Sequence, residues 1–197
     1  MKARSLLVLL GAVCSCVGSP LPVLRDVPSD VDWVSHVLTK GPDDEERRKV
    51  TRFVGRGAKW RLDVMTPERK GEITVFDGTR QVSTTPGVTH EDPRVELRRL
   101  YANLPGFRFW GEENVKDREC RDRRCWYFSL EDETIVGHLW IDVETHLPRR
   151  RIVELEGIRV DEFFAELPDD FQIPPRFFAA AALEEKIRQA REAAGDP

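Results

Sequence analysis

The chain is short of the residues that usually mark a catalytic or metal-binding protein. Its 197 residues include only 4 cysteines and 4 histidines. His36, His90, His138 and His146 do not stand at a metal-ligand spacing, such as one helical turn apart. No Gly-x-Ser-x-Gly elbow occurs, and Gly55-Arg56-Gly57 lacks the rest of a dinucleotide-binding fingerprint. We therefore expect a binding protein without metal or cofactor, and not an enzyme.

The chain also lacks an excess of either charge. It has 31 Lys and Arg against 35 Asp and Glu, a formal net charge of -4. A nucleic-acid-binding protein usually has a strongly basic face, so we expect no nucleic acid as partner. Arginines are nevertheless concentrated in residues 121–124 and 149–151. They predict either solvated turns and a solvated strand edge, or a basic patch for a protein partner.

Long apolar runs are absent apart from the first residues. Lys2 and Arg4 precede an apolar run over residues 5–13, which suits an export signal and is too short to span a membrane. We predict a signal peptide over residues 1–16 and a periplasmic protein. Val13-Cys14-Ser15-Cys16 resembles a bacterial lipobox, with an imperfect fit. Two outcomes stay open: lipidation of Cys16, which would anchor the protein to the outer membrane, or ordinary cleavage nearby.

The two remaining cysteines are Cys120 and Cys125, with Arg121-Asp122-Arg123-Arg124 between them. Two strands joined by such a short loop bring the flanking residues within bonding range, and an oxidising compartment favours the bond. The spacing is wider than that of redox or zinc-ribbon cysteine pairs. The spacing therefore predicts a structural disulfide between Cys120 and Cys125.

The rest of the chain divides by composition. Prolines in residues 17–31 indicate a tether or extended arm. Residues 32–175 form the predicted folded domain, and the alanine-rich residues 176–197 a C-terminal helix. Apolar residues in 32–40 recur at helical spacing, with Asp30 as a candidate cap, and a further helix is predicted over 91–104. From Lys49 onward, apolar and polar side chains alternate as in strands, and turns such as Asp77-Gly78 separate these strands. These patterns predict an antiparallel meander.

One strand is the most informative part of the chain. In residues 137–143, Leu139 and Ile141 fall on one face, and His138 and Trp140 on the other. Because Trp140 makes the second face only partly polar, we expect the sheet to enclose apolar space. The C-terminal segment leaves two alternatives open: its helix packs on the outside of the sheet, or Phe177 and Phe178 close one mouth of a cavity.

The chain resembles the outer-membrane lipoprotein-sorting superfamily, which includes the carrier and receptor of the Lol pathway. The resemblance rests on Trp60-Arg61-Leu62-Asp63-Val64, Thr74-Val75-Phe76-Asp77-Gly78, Cys125-Trp126-Tyr127-Phe128, Leu139-Trp140-Ile141-Asp142-Val143-Glu144-Thr145-His146-Leu147-Pro148-Arg149 and Phe171-Gln172-Ile173-Pro174. These segments lie between residues 49 and 175. The resemblance implies an α+β fold, an incomplete antiparallel β-barrel wrapped over helices, with an apolar cavity for acyl chains. The long C-terminal helix departs from the dedicated carrier.

Large apolar side chains spread over several strands are the candidates to line that cavity. They are Trp60, Phe76, Trp126, Phe128, Trp140 and Ile141. The leading hypothesis is an extracytoplasmic protein that binds a lipid or an acylated lipoprotein non-covalently, as carrier, receptor or sensor. The alternative is an envelope interaction module with a filled core, which binds a protein partner through residues 121–124 and 149–151.

Overall fold

The computed structural model describes residues 20–67, 71–116, 122–132, 134–168 and 170–194. These residues form ten strands and two α-helices. The strands are β1 (Val31–Lys40), β2 (Glu46–Arg56), β3 (Lys59–Val64), β4 (Ile73–Phe76), β5 (Gln81–Ser83), β6 (Arg108–Lys116), β7 (Asp122–Glu131), β8 (Ile135–Asp142), β9 (Pro148–Leu155) and β10 (Ile158–Ala165). The helices are α1 (Pro93–Asn103), followed by a short 3-10 helix (Leu104–Gly106), and α2 (Ala180–Ala194).

All ten strands belong to one sheet, in the order β5-β4-β3-β2-β1-β10-β9-β8-β7-β6. The chain builds two antiparallel meanders, β1 to β5 and β6 to β10, and the pairing of β1 with β10 joins them in the middle. The predicted antiparallel meander is confirmed. The sheet is open, with β5 and β6 as its edges.

Helix α1 connects the two edges of the sheet and therefore has to cross one of its faces, which we call the inner face. The opposite side is the outer face. The side chain of Asp92 accepts the N–H of Arg94 at 3.0 Å, and Pro93 occupies the first turn. Leu97 and Leu104 are buried against the sheet. The helix predicted over 91–104 is confirmed within these bounds.

The helix predicted over residues 32–40 is wrong, because this segment is strand β1. Val31, Trp33 and Ser35 are buried and the residues between them are half-buried, a period of two. β1 pairs with β2 on one side and with β10 on the other, so long-range pairing decides a segment whose short apolar pattern fits either structure. Asp30 does not cap a helix; its carboxylate accepts the N–H of Gly57 at 2.8 Å.

The C-terminal segment packs on the outer face of the sheet. Phe177 is buried, and the guanidinium of Arg61 on β3 lies 4.3 Å from the centre of its ring. The ring of Phe178 stands edge-on to that of Phe177, 5.1 Å away. Of the two alternatives for this segment, packing outside the sheet is confirmed. α2 begins later than predicted, at Ala180, after Arg176 at a φ of 62°.

Close packing between α1 and β2 requires a residue without a side chain at position 55. A Cβ on Gly55 would lie 3.1 Å from Nη1 of Arg94 and 3.2 Å from Cζ of Phe53. Arg94 cannot move aside freely, because its buried guanidinium donates to the carbonyls of Ser29 and Gly57. The fold therefore depends on glycine here.

We expect Gly55→Ala to lower the free energy of unfolding by about 1–3 kcal/mol through overpacking. Urea denaturation measures the difference. Gly106→Ala is the matched control, because a Cβ there meets nothing within 4 Å, and we expect a change within about 0.5 kcal/mol. Equal stability of the two variants would contradict the packing described.

Candidate functional site

The first of two apolar clusters on the inner face lies under α1 and centres on two aromatic pairs. Its buried members are Val27, Val31, Trp33, Phe53, Trp60 and Leu97. The rings of Trp33 and Phe53 have their centres 4.4 Å apart, and Phe76 packs beside Trp60 at 6.1 Å. Trp60 and Phe76, predicted to line a cavity, therefore belong to a packed region on the inner face.

A second cluster lies on β7 and β8, beside the 3-10 helix. Its buried members are Leu104, Phe128, Leu139 and Ile141. Trp126 and Phe109 pack against it, and the rings of Phe109 and Phe128 have their centres 5.2 Å apart. Three predicted residues, Trp126, Phe128 and Ile141, are thus brought together on the inner face.

The segment predicted as a tether or extended arm packs against the inner face, as an arm does, instead of standing free. Residues 20–30, which we call the arm, have no regular secondary structure. Val27 is a buried member of the first cluster, and Leu24 packs against the second. The arm therefore bridges the two clusters beside α1. The signal in the sequence for the burial of Leu24 and Val27 was the presence of apolar residues between the prolines of the arm.

Polar contacts hold the arm at two points, near its end and at its middle. Near its end, the carbonyl of Ser29 accepts from Arg94. Further towards its start, the backbone N–H of Arg25 donates to Nδ1 of His146 at 3.0 Å. Because Nδ1 accepts this hydrogen bond, it carries no proton. The arm is therefore held by the neutral form of His146.

His146 occupies the tight turn between β8 and β9, at a φ of 59°. Its ring stands edge-on to Trp126, with the centres 4.9 Å apart, and its carbonyl accepts from the hydroxyl of Tyr101 on α1. Burial lowers the pKa of His146 most, and the charge of Arg25 lowers it further. The charge of Asp142 acts in the opposite direction, but the pKa stays below its ordinary value. One residue thus connects the arm, α1 and the sheet.

A cavity of about 450 Å³ lies between the arm and α1. Leu24 and Val27 line it from the arm, Tyr101 and Leu104 from the helical side, and Phe128 from the sheet. This volume falls within the range of roughly 300–1,000 Å³ that small-molecule sites occupy. Among the six predicted cavity residues, Phe128 is the one that lines this space.

An ionic network, buried at Glu162 and exposed at Glu96, crosses the inner face next to the clusters. Arg151 on β9 donates to Glu162 on β10 at 2.6 Å and to Glu96 on α1 at 2.9 Å. Ser35 on β1 donates to Glu162 at 2.5 Å. Burial opposes the charged form of Arg151, yet the neighbouring Glu162 and Glu96 raise its pKa. The network therefore stays charged and ties α1 to the middle of the sheet.

Beyond this network the inner face is apolar, and the residues that the structure describes cover it only in part. The residues of this surface, which we call the open patch, are Leu130, Ile135, Val153, Leu155, Ile158 and Val160. None of them is fully buried, and Leu155 and Ile158 are 41% and 44% exposed. Apolar residues alternate with charged ones on either side of the Glu156-Gly157 turn, and this pattern was the signal in the sequence for the patch.

Trp140 lies on the outer face, which corrects its place among the predicted cavity residues. It pairs with Tyr127, with the ring centres 5.1 Å apart, and its Nε1 donates to Glu113. Because successive side chains of a strand point to opposite faces, Trp140 and Ile141 cannot line the same cavity. The cross-strand stacking of Trp140 with Tyr127 supports the outer surface of the sheet.

The arginines of residues 149–151 do not form one basic patch. Arg149 is buried and donates to Asp142 at 3.0 Å and to Glu166 at 2.6 Å. Arg150 lies on the outer face with an ion pair of its own, and Arg151 lies on the inner face. A solvated strand edge is therefore wrong for Arg149. In the other segment, residue 121 lies outside the described residues.

The two cysteine predictions are not tested by the structure. Cys125 is fully buried and has no disulfide partner among the described residues, and burial raises the pKa of its thiol to about 12. Such a thiol is unreactive. Cys120 and Cys16 lie outside the described residues, so the disulfide and the lipidation stay predictions.

Within the described ranges, no three His, Cys, Asp or Glu side chains are grouped as a metal ion would need. The same part of the chain contains no helix with the length and apolar character to cross a membrane. The histidines make structural contacts there; Nδ1 of His138, for instance, lies 2.8 Å from the hydroxyl of Tyr127.

Solved structures similar to this one include a LolA superfamily protein from Nitrosomonas europaea. It is 13% identical over 79% of this chain and 93% of its own, with a TM-score of 0.41. MucB is 13% identical over 77% of this chain and 58% of its own, with a TM-score of 0.46. The complex structure of Pseudomonas aeruginosa MucA/MucB is 15% identical over 71% of this chain and 53% of its own, with a TM-score of 0.39. No protein-family model and no curated protein matches the sequence. The likeness of this chain to these structures is one of fold alone.

The attachment of the arm should depend on pH. The folded protein holds His146 with a lowered pKa, so it binds fewer protons than the unfolded chain. This stabilisation is present above the ordinary pKa of 6.5 and is lost as the pH falls through the lower folded value. We expect the backbone amides of residues 24–27 to gain mobility as the pH falls from about 7.5 to well below the ordinary pKa of 6.5, measured by NMR relaxation.

His146→Gly provides the control for this prediction. Glycine keeps the positive φ of the turn and removes the acceptor for Arg25. The arm of this variant should be mobile at both pH values. An arm that is equally rigid in the variant and in the original chain would contradict the role of His146.

Proposed function

We propose that the protein is an extracytoplasmic binding protein that buries acyl chains of a lipid or an acylated lipoprotein against the inner face of its sheet. The observation that carries this proposal is the partial cover of an apolar face. A cavity lies beneath the arm, and the open patch lies beyond the ionic network. The predicted export signal supports a site of action in the periplasm.

Binding of this kind requires no chemical step. Burial of apolar surface contributes roughly 25 cal/mol per Å², without a fixed direction, and the affinity is therefore reversible. A carrier, a receptor and a sensor all depend on that property. The exposed side chains of Arg25, Asp26 and Arg98 stand among the lining residues of the cavity, where a polar head group would meet water.

The arm is the element that an acyl chain would displace. Leu24 makes its apolar contacts with the second cluster at the cavity, and the hydrogen bond from Arg25 to His146 is exposed. An acyl chain in the same place would keep these surfaces dry while the arm moves outward. We therefore propose that uptake exchanges arm side chains for ligand, with α1 kept in place by Arg151.

A second candidate function is an envelope interaction module with a filled core. The observation in its favour is that Leu24 and Val27 already occupy much of the space beside α1. Because the arginines of residues 149–151 point to different sides, the open patch is the better surface for a protein partner. A partner held there would bind without displacing the arm.

We expect Ala102→Glu to weaken uptake of a pyrene-labelled phosphatidylcholine by about tenfold or more, in a fluorescence titration. Ala102 is exposed on α1 and lines the cavity, so the change places a charge beside the acyl chain at little cost to the fold. Leu155→Glu makes the same test at the open patch.

Asn103→Glu is the matched control, because Asn103 is exposed next to Ala102 and lies outside the cavity lining. It should bind the probe like the original chain. Uptake that is unchanged in both Ala102→Glu and Leu155→Glu would sink the lipid-binding proposal. No uptake by the original chain would favour the interaction module.

A further inference from the structure

A second apolar groove lies on the other side of the sheet, between α2 and the edge formed by β4 and β5. Its volume is about 560 Å³. Ile73, Thr84 and Pro86 line it from the sheet side. Ile73 pairs with Asp63 on β3, whose side chain lies on the outer face with that of Arg61. The groove is therefore separate from the inner-face cavity.

Helix α2 presents to this groove an apolar stripe that the sheet covers only in part. Leu183, Ile187, Ala190 and Ala194 follow one another at helical spacing and all line the groove. Leu183 is buried and Ile187 is half-buried, whereas Ala190 and Ala194 are exposed. The sheet therefore covers less of the stripe towards the end of α2. The uncovered part of the stripe forms one wall of the groove.

The charged side chains of the groove are all of one sign. Lys186 and Arg191 line it, and none of the lining residues that the structure describes is acidic. Neither cation forms an ion pair with another residue that the structure describes, although Arg80 and Arg188 nearby are paired with Glu184 and Glu185. An apolar wall bordered by unpaired cations is complementary to an apolar chain that ends in an anion.

We propose that this groove binds a long-chain fatty acid. The hydrocarbon chain lies along the apolar stripe of α2, and the carboxylate accepts hydrogen bonds from Lys186 and Arg191. The site lies outside the inner face, so it is independent of the function proposed above. A free acid is favoured over an uncharged lipid because the two cations have no other partner among the described residues.

Paramagnetic broadening in NMR spectra of the protein with doxyl-labelled stearic acid tests this assignment. The signals of residues 187–194, Ile73 and Thr84 should broaden. The methyl ester of the same probe lacks the charge and should bind several-fold more weakly. Ala102→Glu, which alters the inner-face cavity, should leave this broadening unchanged, so failure at one site is distinguishable from failure at the other.

Ala190→Glu places a carboxylate in the groove and should weaken binding of the labelled acid about tenfold or more. Ala181→Glu is the matched control, because Ala181 is exposed on the same helix, roughly 180° around the axis from Ala190. Lys186→Gln and Arg191→Gln should each weaken binding by about two- to fivefold and reduce the difference between acid and ester.

Three results would overturn the proposal. The first is equal binding of the acid by the Ala190→Glu and Ala181→Glu variants. The second is equal binding of acid and ester by the original chain. The third is broadening confined to residues of the inner face.

Discussion

The pairing of β1 with β10 in the middle of the sheet is the constraint on which the rest of the structure depends. It joins two meanders and leaves β5 and β6 at opposite edges. The chain between those edges must then cross the sheet, and α1 lies on that crossing. The same pairing therefore creates an inner face and places a helix over part of it.

The candidate site consists of the parts of the inner face that α1 leaves uncovered. α1 covers the aromatic clusters, the arm covers the gap beside α1, and Arg151 fixes α1 to β10 through Glu162. Neither α1 nor the described part of the arm covers the open patch, where Leu155 and Ile158 are exposed. An apolar face that is covered in part by a displaceable segment suits a ligand that exchanges reversibly, because burial of apolar surface has no strict geometry.

Local patterns in the sequence predicted the meanders, α1 and α2, because alternation and turn residues act over a few positions. They failed at β1, whose apolar spacing also fits a helix and whose structure comes from partners on two sides. For β6 the sequence predicted only a strand leading to Cys120, without bounds, since a bulge between Phe109 and Gly111 breaks its alternation. Of the predicted cavity residues, Phe128 lines the cavity beside α1. Trp140 could not be excluded, because the sequence alone does not say which face of the sheet each side chain of β8 points to. The contacts of the arm join residues 121 positions apart, such as Arg25 and His146, and no local pattern encodes them.

Native mass spectrometry of the protein, purified gently from an exporting host, tests the central claim most directly. Lipid binding on the inner face predicts a bound mass that dissociates as phospholipid or acylated peptide, or that appears when these are added. A protein that stays free of bound mass under both conditions would contradict the claim and would indicate a core filled by its own arm.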